Sequence, residues 1–439
     1  MKRFIQKELS KWKDDSSRKI LLIRGARQVG KTYSIRQLGS TFKNYIEVNF
    51  EENKDIKQFF SGSLNPDIIC KKISAAFSLP IIPGETLLFF DEIQECPEAL
   101  SALRFFYEKL PDLHVIAAGS LLEFAIESIP SYGVGRIQSL FMYPMSFDEF
   151  LMANNEEGLL ELKNIAGTGN PLDNLFHHKL VDYLKMFYLT GGMPESVKEY
   201  LQSGDILKSQ KVLDGLIESI KDDFAKYKNR SPIQRLEEVY GSISMQCGSK
   251  FVYSRIDSSS SHAPLKDALE LIVQAGLAYK VYHTSSRGIP LGAQVKIKKF
   301  KVIPHDIGIH QRLLGLNAAD IVKAENVTVI NKGHIAEIFV GLELIKNTSP
   351  YSRATLHYWH KEKRGSNAEV DYVIQREGDI VPIEVKSGTQ GKMQSMRIFM
   401  EERKLKHGIR ISLEPFSSYG NIEVIPLYAI SNIIKERVA

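Results

Sequence analysis

Cysteine and long apolar stretches are scarce in this chain of 439 residues. The three cysteines (Cys70, Cys96 and Cys247) are odd in number and far apart, so the sequence implies neither a disulfide framework nor a zinc site. No window reaches the roughly 18 apolar residues that a membrane-spanning helix needs. The first residues are charged throughout and show no signal peptide. We therefore expect a cytoplasmic protein in a reducing environment.

Strong charge of either sign is also lacking. The net charge is +5 and the pI is about 8.7, which permits a nucleic-acid partner without requiring one. With 43% hydrophobic and 25% charged residues, the composition is that of a folded globular protein rather than a disordered one. At roughly 150 residues per domain, the length predicts about three domains.

A glycine-bearing segment follows the apolar run 20–23. It fits the phosphate-binding loop pattern, in which two glycines five positions apart precede a lysine and a hydroxyl residue. Such a loop turns backbone N–H groups around a polyphosphate, and a Cβ at either glycine would obstruct that turn. The alternative is a plain glycine turn between a strand and a helix. The segment consists of Gly25, Ala26, Arg27, Gln28, Val29, Gly30, Lys31 and Thr32.

The last two residues of this segment have distinct chemical roles. Lys31 would place a positive charge on the β- and γ-phosphates of ATP, and the Thr32 hydroxyl would ligate Mg²⁺. The helix expected to begin there adds the positive end of its dipole to the anion site. The segment therefore predicts a site for ATP and Mg²⁺.

Two acids end a second apolar run, at residues 87–90. Such a continuous run is typical of a strand buried on both faces of a parallel sheet, and open α/β sheets bind their ligands at the carboxyl ends of the strands. We expect Asp91 to hold Mg²⁺ and Glu92 to orient or deprotonate the attacking water. The alternative is that both acids cap the next helix.

Two further polar residues adjoin predicted strands. Ser120 ends the apolar strand 114–119 and would sense the γ-phosphate or the attacking water, or else cap the helix that follows. Arg136 opens the strand 137–142 and would reach a phosphate in its own site or in a neighbour's, although arginines are common on protein surfaces. Both residues join Lys31 and Glu92 in the predicted catalytic set.

Together these motifs resemble an AAA-type ATPase. The phosphate loop, the Asp91-Glu92 strand, the Ala-Gly-Ser strand end at Ser120 and Gly135-Arg136 ahead of residues 143–150 are similar to one bacterial and archaeal group. In that group the ATPase module is joined to a C-terminal domain of unknown function, DUF4143. The resemblance implies an α/β P-loop sheet that has an additional strand and helices on both faces, with Glu92 as the catalytic glutamate.

The middle of the chain is predicted to be mainly helical. A polar, glycine-containing stretch at 154–173 indicates a loop or a poorly ordered helix connection, and helices follow it. Three short helical segments and the alternating strand 278–283 then outline a winged helix, a module that often places a helix in the DNA major groove.

DNA contacts in this region are one of two readings. Ser258–Asp267 carries hydroxyls and Lys266, which suit phosphate contacts, but no arginine to read guanine, so a purely structural role stays open. A lysine-rich strand follows, which is typical either of a phosphate-contacting wing or of an edge strand protected against aggregation. Its lysines are Lys296, Lys298, Lys299 and Lys301.

The C-terminal part contains a second candidate site. Glu384 and Lys386 lie two positions apart on a predicted strand and so share one face, a hairpin brings Asp371 beside them, and Glu337 stands on the predicted helix 332–346. Carboxylates with a lysine can hold Mg²⁺ and steer a water in phosphodiester attack. The set resembles the PD-(D/E)xK nuclease core, with Val370 in place of its proline. The alternative is a salt-bridged sheet face in which Lys386 neutralises Asp371 and Glu384.

Three functions follow from these motifs. The first is a Mg²⁺-dependent ATPase that couples hydrolysis to a conformational change or to binding of DNA or another partner. The second is a nucleotide-gated, Mg²⁺-dependent DNA nuclease, and the third is an ATP-dependent DNA-binding switch without strong turnover. The expected domains are an AAA-type ATPase domain at 1–150, a helical lid or linker at 151–235, a winged-helix-like domain at 236–300 and a nuclease-like domain at 301–439.

Overall fold

The protein forms two compact units. The structure is a computed structural model that describes residues 1–120, 122, 135–228, 230–258, 261–316, 334–362, 368–389 and 391–434. We call the units N-terminal and C-terminal; they comprise Lys2–Tyr143 with Ser349–Arg353, and Pro144–Thr348 with Ala354–Ala439. The predicted division of residues 151–439 into three domains stays a prediction.

The N-terminal unit is built on a parallel sheet. Its described strands are β1 Ile20–Arg24, β2 Asn44–Asn49, β3 Thr86–Asp91, β4 His114–Ala118 and β5 Ile137–Phe141. They pair in parallel in the order β2-β3-β4-β1-β5. Strand β4 therefore lies between β1 and β3, which is the additional strand that the resemblance implied. The predicted α/β class with a parallel P-loop sheet is confirmed.

Helices and aromatic rings complete this unit. Every residue of β3 and β4 is buried, as their apolar runs predicted. Four phenylalanine rings (Phe50, Phe60, Phe90 and Phe106) pack against one another at centroid separations of 5.5 to 5.8 Å, and burial of each stabilises the fold by about 1.5–3 kcal/mol. The helices are α1 Ile5–Asp14, α2 Lys31–Gly39, α3 Pro66–Phe77 and α4 Pro97–Lys109, with a 3₁₀ helix at Lys54–Phe60.

The C-terminal unit is largely helical in its first half. Of the two alternatives for residues 154–173, the loop is wrong in part, because the stretch contains a helix whose Leu159, Leu160 and Lys163 are buried. Lys163 forms an ion pair of 2.8 Å with Asp148, and neither side chain is exposed to solvent by more than 1%. The helices are α5 Phe147–Ala153, α6 Glu157–Ile165, α7 Asn174–Thr190, α8 Pro194–Ser203, α9 Ile206–Asp223, α10 Ile233–Met245, α11 His262–Gln274, α12 Ile307–Leu313, α13 Ile335–Lys346, α14 Gln394–Arg403 and α15 Ser431–Ile434.

Two sheets form the rest of this unit. The strands of the first are β6 Ala278–Thr284, β7 Val295–Pro304, β8 Leu356–His360 and β9 Glu369–Val370, in the order β7-β6-β8-β9. Those of the second are β10 Tyr372–Arg376, β11 Asp379–Val385, β12 Gly408–Ser412, β13 Ser417–Tyr419 and β14 Ile422–Pro426, in the order β10-β11-β12-β14-β13. Both sheets mix parallel and antiparallel pairs, so the predicted α/β character is confirmed.

The elements between residues 233 and 304 follow the predicted order. Helix α10, a 3₁₀ turn at Tyr253–Arg255 and helix α11 precede the antiparallel pair of β6 and β7. Strand β7 lies at the edge of its sheet. The winged-helix assignment itself stays a prediction. Along the residues that the structure describes, no helix has both the length and the apolar character needed to cross a membrane.

Candidate nucleotide-binding site

The phosphate loop lies between β1 and α2, at the carboxyl end of a central strand. Gly25 and Gly30 have φ angles of 147° and 96°, and Gln28 between them has a φ of 64°. A Cβ at Gly25 would lie 2.1 Å from the backbone oxygen of Met142, a distance that no side chain tolerates. Gly25 is therefore required by the close approach of Met142, and Gly30 by the left-handed backbone turn at which the helix begins.

Lys31 points back into this loop. Its Nζ donates hydrogen bonds of 2.8 Å to the backbone oxygens of Gly25 and Ala26, and the residue is 8% exposed. Burial lowers the pKa of Lys31 to about 8, although Glu92 and Asp91 oppose this shift. The ammonium group of Lys31 is thus held by neutral carbonyl groups, and it can exchange these partners for a phosphate.

Thr32 and Asp91 come together as the sequence predicted. The Thr32 hydroxyl donates to Asp91 Oδ2 over 3.0 Å, and the backbone N–H of Glu92 donates to Oδ1 over 3.0 Å. Burial raises the pKa of Asp91 to about 6, and the nearby Glu92 raises it further, while Thr32 opposes the shift. A hydroxyl and a carboxylate are oxygen ligands of the kind that Mg²⁺ prefers, so these two residues fit the ion that the loop chemistry implies.

Glu92 is held by Gln94, two positions later in the chain, and by Ser120, which follows the adjacent strand β4. Its carboxylate accepts hydrogen bonds from Gln94 Nε2 at 2.6 Å and from the Ser120 hydroxyl at 3.3 Å. Its own backbone is left-handed, with a φ of 48°, an uncommon conformation that is often found at functional sites. The structure therefore brings Ser120 to Glu92, whose orientation it helps to fix.

Two residues that support the site were missed by sequence reasoning. Arg3 is 8% exposed and donates to the backbone oxygens of Val29 and Tyr143 at 2.8 and 2.7 Å, and so fixes the loop from outside. Gln94 positions Glu92 as described above. The sequence carries a signal only for Gln94, which follows the acidic pair by two positions; no local pattern links Arg3 to residues 26 and 140 positions away.

Arg136 does not lie with the phosphate loop. Strands β1 and β5 run in parallel, with Ile137 opposite Ile20 and Phe141 opposite Arg24. Arg136 therefore lies at the amino ends of these strands, about 13 Å of strand length from the edge that carries the loop. Its Nε donates to Glu108 over 2.5 Å. The assignment of Arg136 to the phosphate of its own chain is wrong for this reason.

The C-terminal unit brings the four predicted nuclease-like residues to one place. Tyr372 pairs with Ile383, so Asp371 lies opposite Glu384, and the N–H of Val385 donates to Asp371 over 2.8 Å. Lys386 lies 2.7 Å from Glu384. The hydroxyl of Tyr372, next to Asp371, donates to the backbone oxygen of Glu337 over 2.8 Å. Burial raises the pKa of Asp371 well above its usual range, and Glu337 and Glu384 add to this shift. We call Glu337, Asp371, Glu384 and Lys386 the carboxylate cluster.

Lys301 enters this cluster: it belongs to the edge strand β7, but its side chain is buried rather than directed to solvent as a phosphate contact or an edge-protecting charge would be. The residue is 1% exposed, and its Nζ lies 2.7 Å from Glu337 and 2.5 Å from Glu369. Burial alone would lower the pKa of Lys301, but the surrounding carboxylates outweigh it and raise the pKa. Lys386 neutralises Glu384, as the salt-bridge alternative predicted. The cation near Asp371, however, is Lys301 rather than Lys386.

These ion pairs leave the carboxylate cluster without a ready metal cradle. Within the described ranges, the carboxylate oxygens of Glu337, Asp371 and Glu384 do not lie within 4.8 Å of one another as a set of three. Burial raises the pKa of Glu337, yet Lys301 and His334 outweigh burial and the net shift is downward. The cluster therefore has the residue types of a hydrolytic site but an internal cation at its centre.

The predicted DNA contacts lie at the surface of the C-terminal unit. Ser258, Ser261 and Lys266, near the start of α11, are exposed. Residues 259 and 260 lie outside the described residues. Lys296 and Lys299 are not free on the surface, because both pair with Glu362.

Comparison with known families agrees with this geometry. Residues 17–151 match an AAA domain, residues 181–320 match a domain of unknown function (DUF8612) and residues 332–430 match the domain of unknown function DUF4143. No curated protein matches the sequence.

Several solved structures are similar to this chain at low identity. The Walker-type ATPase of Pyrococcus abyssi is 18% identical, with 70% of this chain and 94% of that chain covered and a TM-score of 0.44. The ORC1 protein of Aeropyrum pernix in complex with DNA is 13% identical, with 72% and 92% covered and a TM-score of 0.27. The chain therefore carries an AAA-type P-loop domain at residues 17–151, with which the parallel sheet agrees, and a DUF4143 domain at residues 332–430.

Proposed function

We propose that the protein is a Mg²⁺-dependent ATPase that couples ATP hydrolysis to a conformational change or to partner binding. The observation that carries this proposal is the 3.0 Å hydrogen bond between Thr32 and Asp91, next to a buried Lys31. It places a hydroxyl, a carboxylate and an ammonium group at the carboxyl edge of one sheet, where P-loop proteins hold a nucleoside triphosphate and its metal.

Each residue then has one task. Lys31 leaves the carbonyls of Gly25 and Ala26 and binds the β- and γ-phosphates, while the loop N–H groups surround them. Thr32 and Asp91 hold Mg²⁺, which when bound neutralises charge on the phosphate oxygens. Glu92, oriented by Gln94 and Ser120, positions the attacking water and accepts its proton.

Nucleotide binding and hydrolysis are separable by mutation. Lys31→Ala should abolish ATP binding and turnover, because it removes the buried ammonium group that meets the β- and γ-phosphates. Glu92→Gln should keep ATP binding but lower turnover by about 10²–10⁴-fold, the range typical of a general base. Both are measured as phosphate release and as binding of a fluorescent ATP analogue. The matched control is Lys43→Ala, since Lys43 is exposed and pairs only with Glu85; unchanged turnover in Lys31→Ala refutes the proposal.

A second candidate function is Mg²⁺-dependent cleavage of a nucleic acid by the carboxylate cluster. One observation favours it: Glu384 Oε2 is buried and has no hydrogen-bond partner among the described residues. An unpaired buried carboxylate oxygen is costly unless a cation or water meets it. The test is nicking of plasmid DNA and of RNA with Mg²⁺ or Mn²⁺, expected in the wild type and lost in Lys386→Ala. Absence of cleavage on every substrate counts against this candidate.

DNA binding is the remaining partner hypothesis. The exposed start of α11 with Lys266 supports it. It predicts a DNA affinity that weakens as salt rises and that changes when ATP is bound. Equal affinity with and without ATP would leave DNA uncoupled from the nucleotide cycle.

A further inference from the structure

Two histidines and a glutamate converge in the first sheet of the C-terminal unit. His283 lies on β6, His360 ends β8, and Glu362 follows two positions later. The parallel pairing of β6 and β8 sets His283 opposite Tyr358, and the two imidazole centroids lie 4.6 Å apart. One ligand atom from each of the three residues lies within 4.8 Å of the other two.

The hydrogen bonding of His283 determines which of its nitrogens is available. Nε2 lies 3.2 Å from the backbone oxygen of His360, and a carbonyl only accepts, so Nε2 carries the proton. Nδ1 then presents a lone pair. An imidazole oriented through one nitrogen by a backbone carbonyl, with the other nitrogen bare, is the usual arrangement of a metal-binding histidine.

The bare nitrogens have no other partner among the described residues. His283 is 1% exposed, and its Nδ1 is buried without a hydrogen bond. The Nδ1 of His360 is buried and unpartnered as well. A buried ring nitrogen without a hydrogen-bond partner is costly, and a cation shared with Glu362 would satisfy both of these nitrogens.

We propose that His283, His360 and Glu362 form a binding site for one zinc-class divalent cation, with a fourth position open to water. Two imidazole nitrogens and one carboxylate oxygen suit Zn²⁺, which is four-coordinate in proteins. They do not suit Mg²⁺ or Ca²⁺, which take oxygen ligands. The site is separate from the nucleotide and does not depend on the proposed ATPase function.

Two lysines compete for the same carboxylate. Lys296 and Lys299 both contact Glu362, and Lys296 lies opposite His283 in the pairing of β6 with β7. These pairs explain Glu362 without a metal, but they leave both histidines unexplained. This competition distinguishes a metal site from a purely structural ion pair. If the three residues bind a metal ion, removing a lysine should strengthen metal binding. A purely structural ion pair predicts no change in metal binding.

The test uses the full-length protein stripped by a chelator and titrated with Co²⁺ in excess Mg²⁺. The magnesium fills oxygen-rich sites, and four-coordinate Co²⁺ absorbs visible light far more strongly than octahedral Co²⁺. The wild type should bind one equivalent with the strong absorption, and Zn²⁺ should displace it. His360→Ala should weaken Co²⁺ binding by about 100-fold or more and Glu362→Gln by about 10-fold or more, while Lys299→Ala should strengthen it severalfold.

The controls keep the result decisive. His357→Ala on the same strand should bind Co²⁺ as the wild type does, and so should Asp91→Asn and Glu384→Gln, which alter the two other acidic sites. Glu362 is 40% exposed, so Glu362→Gln should remain folded even if a histidine variant does not. Absence of the strong absorption in the wild type, or its survival in both His360→Ala and Glu362→Gln, overturns the proposal.

Discussion

The phosphate site and the carboxylate cluster both gather acids and a lysine, but they hold the acids differently. Asp91 and Glu92 accept hydrogen bonds from neutral donors: two hydroxyls, an amide and a backbone N–H group. In the carboxylate cluster Asp371 also accepts from a backbone N–H, but the partners of Glu337 and Glu384 are the cations Lys301 and Lys386. The acids of the phosphate site are oriented by neutral groups, whereas two acids of the carboxylate cluster are neutralised by lysines.

This difference decides which acids can recruit a metal ion. A neutral donor fixes the direction of a carboxylate and leaves its charge for an incoming cation. An internal ammonium group neutralises that charge, so a metal ion must first displace the ammonium group. The same residue types therefore indicate an exchangeable ligand site in the N-terminal unit and a cation-filled one in the C-terminal unit.

The largest expected effect comes from removing the internal cation. Lys301→Met leaves two carboxylates beside a side chain that was 2% exposed, and breaking a buried pair costs about 3–5 kcal/mol. The chain has two tryptophans, Trp12 and Trp359, one in each unit. In a Trp12→Phe background, the denaturant midpoint of Trp359 fluorescence reports on the C-terminal unit.

A control and a rescue make this prediction specific. Lys299→Met on the same strand should cost less than about 1 kcal/mol, because its ion pair is exposed. The double variant Lys301→Met/Glu337→Leu should recover most of the loss, since it removes both charges. A loss below 1 kcal/mol in Lys301→Met would contradict the view that this cluster is held by its lysine.

The pH dependence of the free energy of unfolding should also differ between His310 and the buried acids Asp371 and Glu384. Burial lowers the pKa of His310 to about 4, and His334 adds to the shift, so the unfolded state takes up the proton first as pH falls. The stability that His310 contributes is present above pH 6.5 and is lost between 6.5 and 4, by about 3 kcal/mol in total. Asp371 and Glu384 act in the opposite direction, because their pKa values are raised.

The measurement is therefore a difference between two proteins. His310→Asn should flatten the acid limb of the stability profile of Trp359 fluorescence relative to the wild type, with other groups unchanged. Parallel profiles for the two proteins would show that His310 does not titrate on unfolding.

Sequence reasoning located the phosphate site because its parts are local. Gly25 to Thr32 are contiguous, and the rule that parallel strands share a carboxyl edge places Asp91 beside Thr32. The same rule argues against Arg136 at its own phosphate, since a residue that precedes a strand lies at the opposite edge. That correction was available from the sequence.

The carboxylate cluster was harder to read because its cation comes from far away along the chain. Lys301 lies 36 positions before Glu337. The alternation of residues along β7 predicts which face of the strand carries Lys301, but not which residue Lys301 pairs with. The helix Glu157–Ile165 was hard to predict for a related reason: Lys163 in its polar sequence is buried against Asp148 and Ser431, the second of which lies 268 positions away. Local propensity does not carry such contacts.

A smaller effect is expected from the arginine that fixes the phosphate loop. Arg3→Ala removes charged hydrogen bonds to Val29 and Tyr143, each worth about 1.5–3 kcal/mol, and should weaken ATP binding about tenfold with little change in the maximal rate. Arg18→Ala is the control, because Arg18 also donates to two carbonyls but away from the loop. Equal ATP affinities in both variants would remove Arg3 from the site.

The smallest effect tests whether neutral donors orient Glu92. A Cβ at Gly119 would lie 1.9 Å from Gln94 Oε1, so Gly119→Ala should push Gln94 away from Glu92 and lower turnover by about tenfold or less at unchanged ATP affinity. Gln94→Ala should cause a similar loss, and the double variant should be no worse than either single one, because both remove one interaction. Additive losses would mean that Gly119 acts on something other than Gln94.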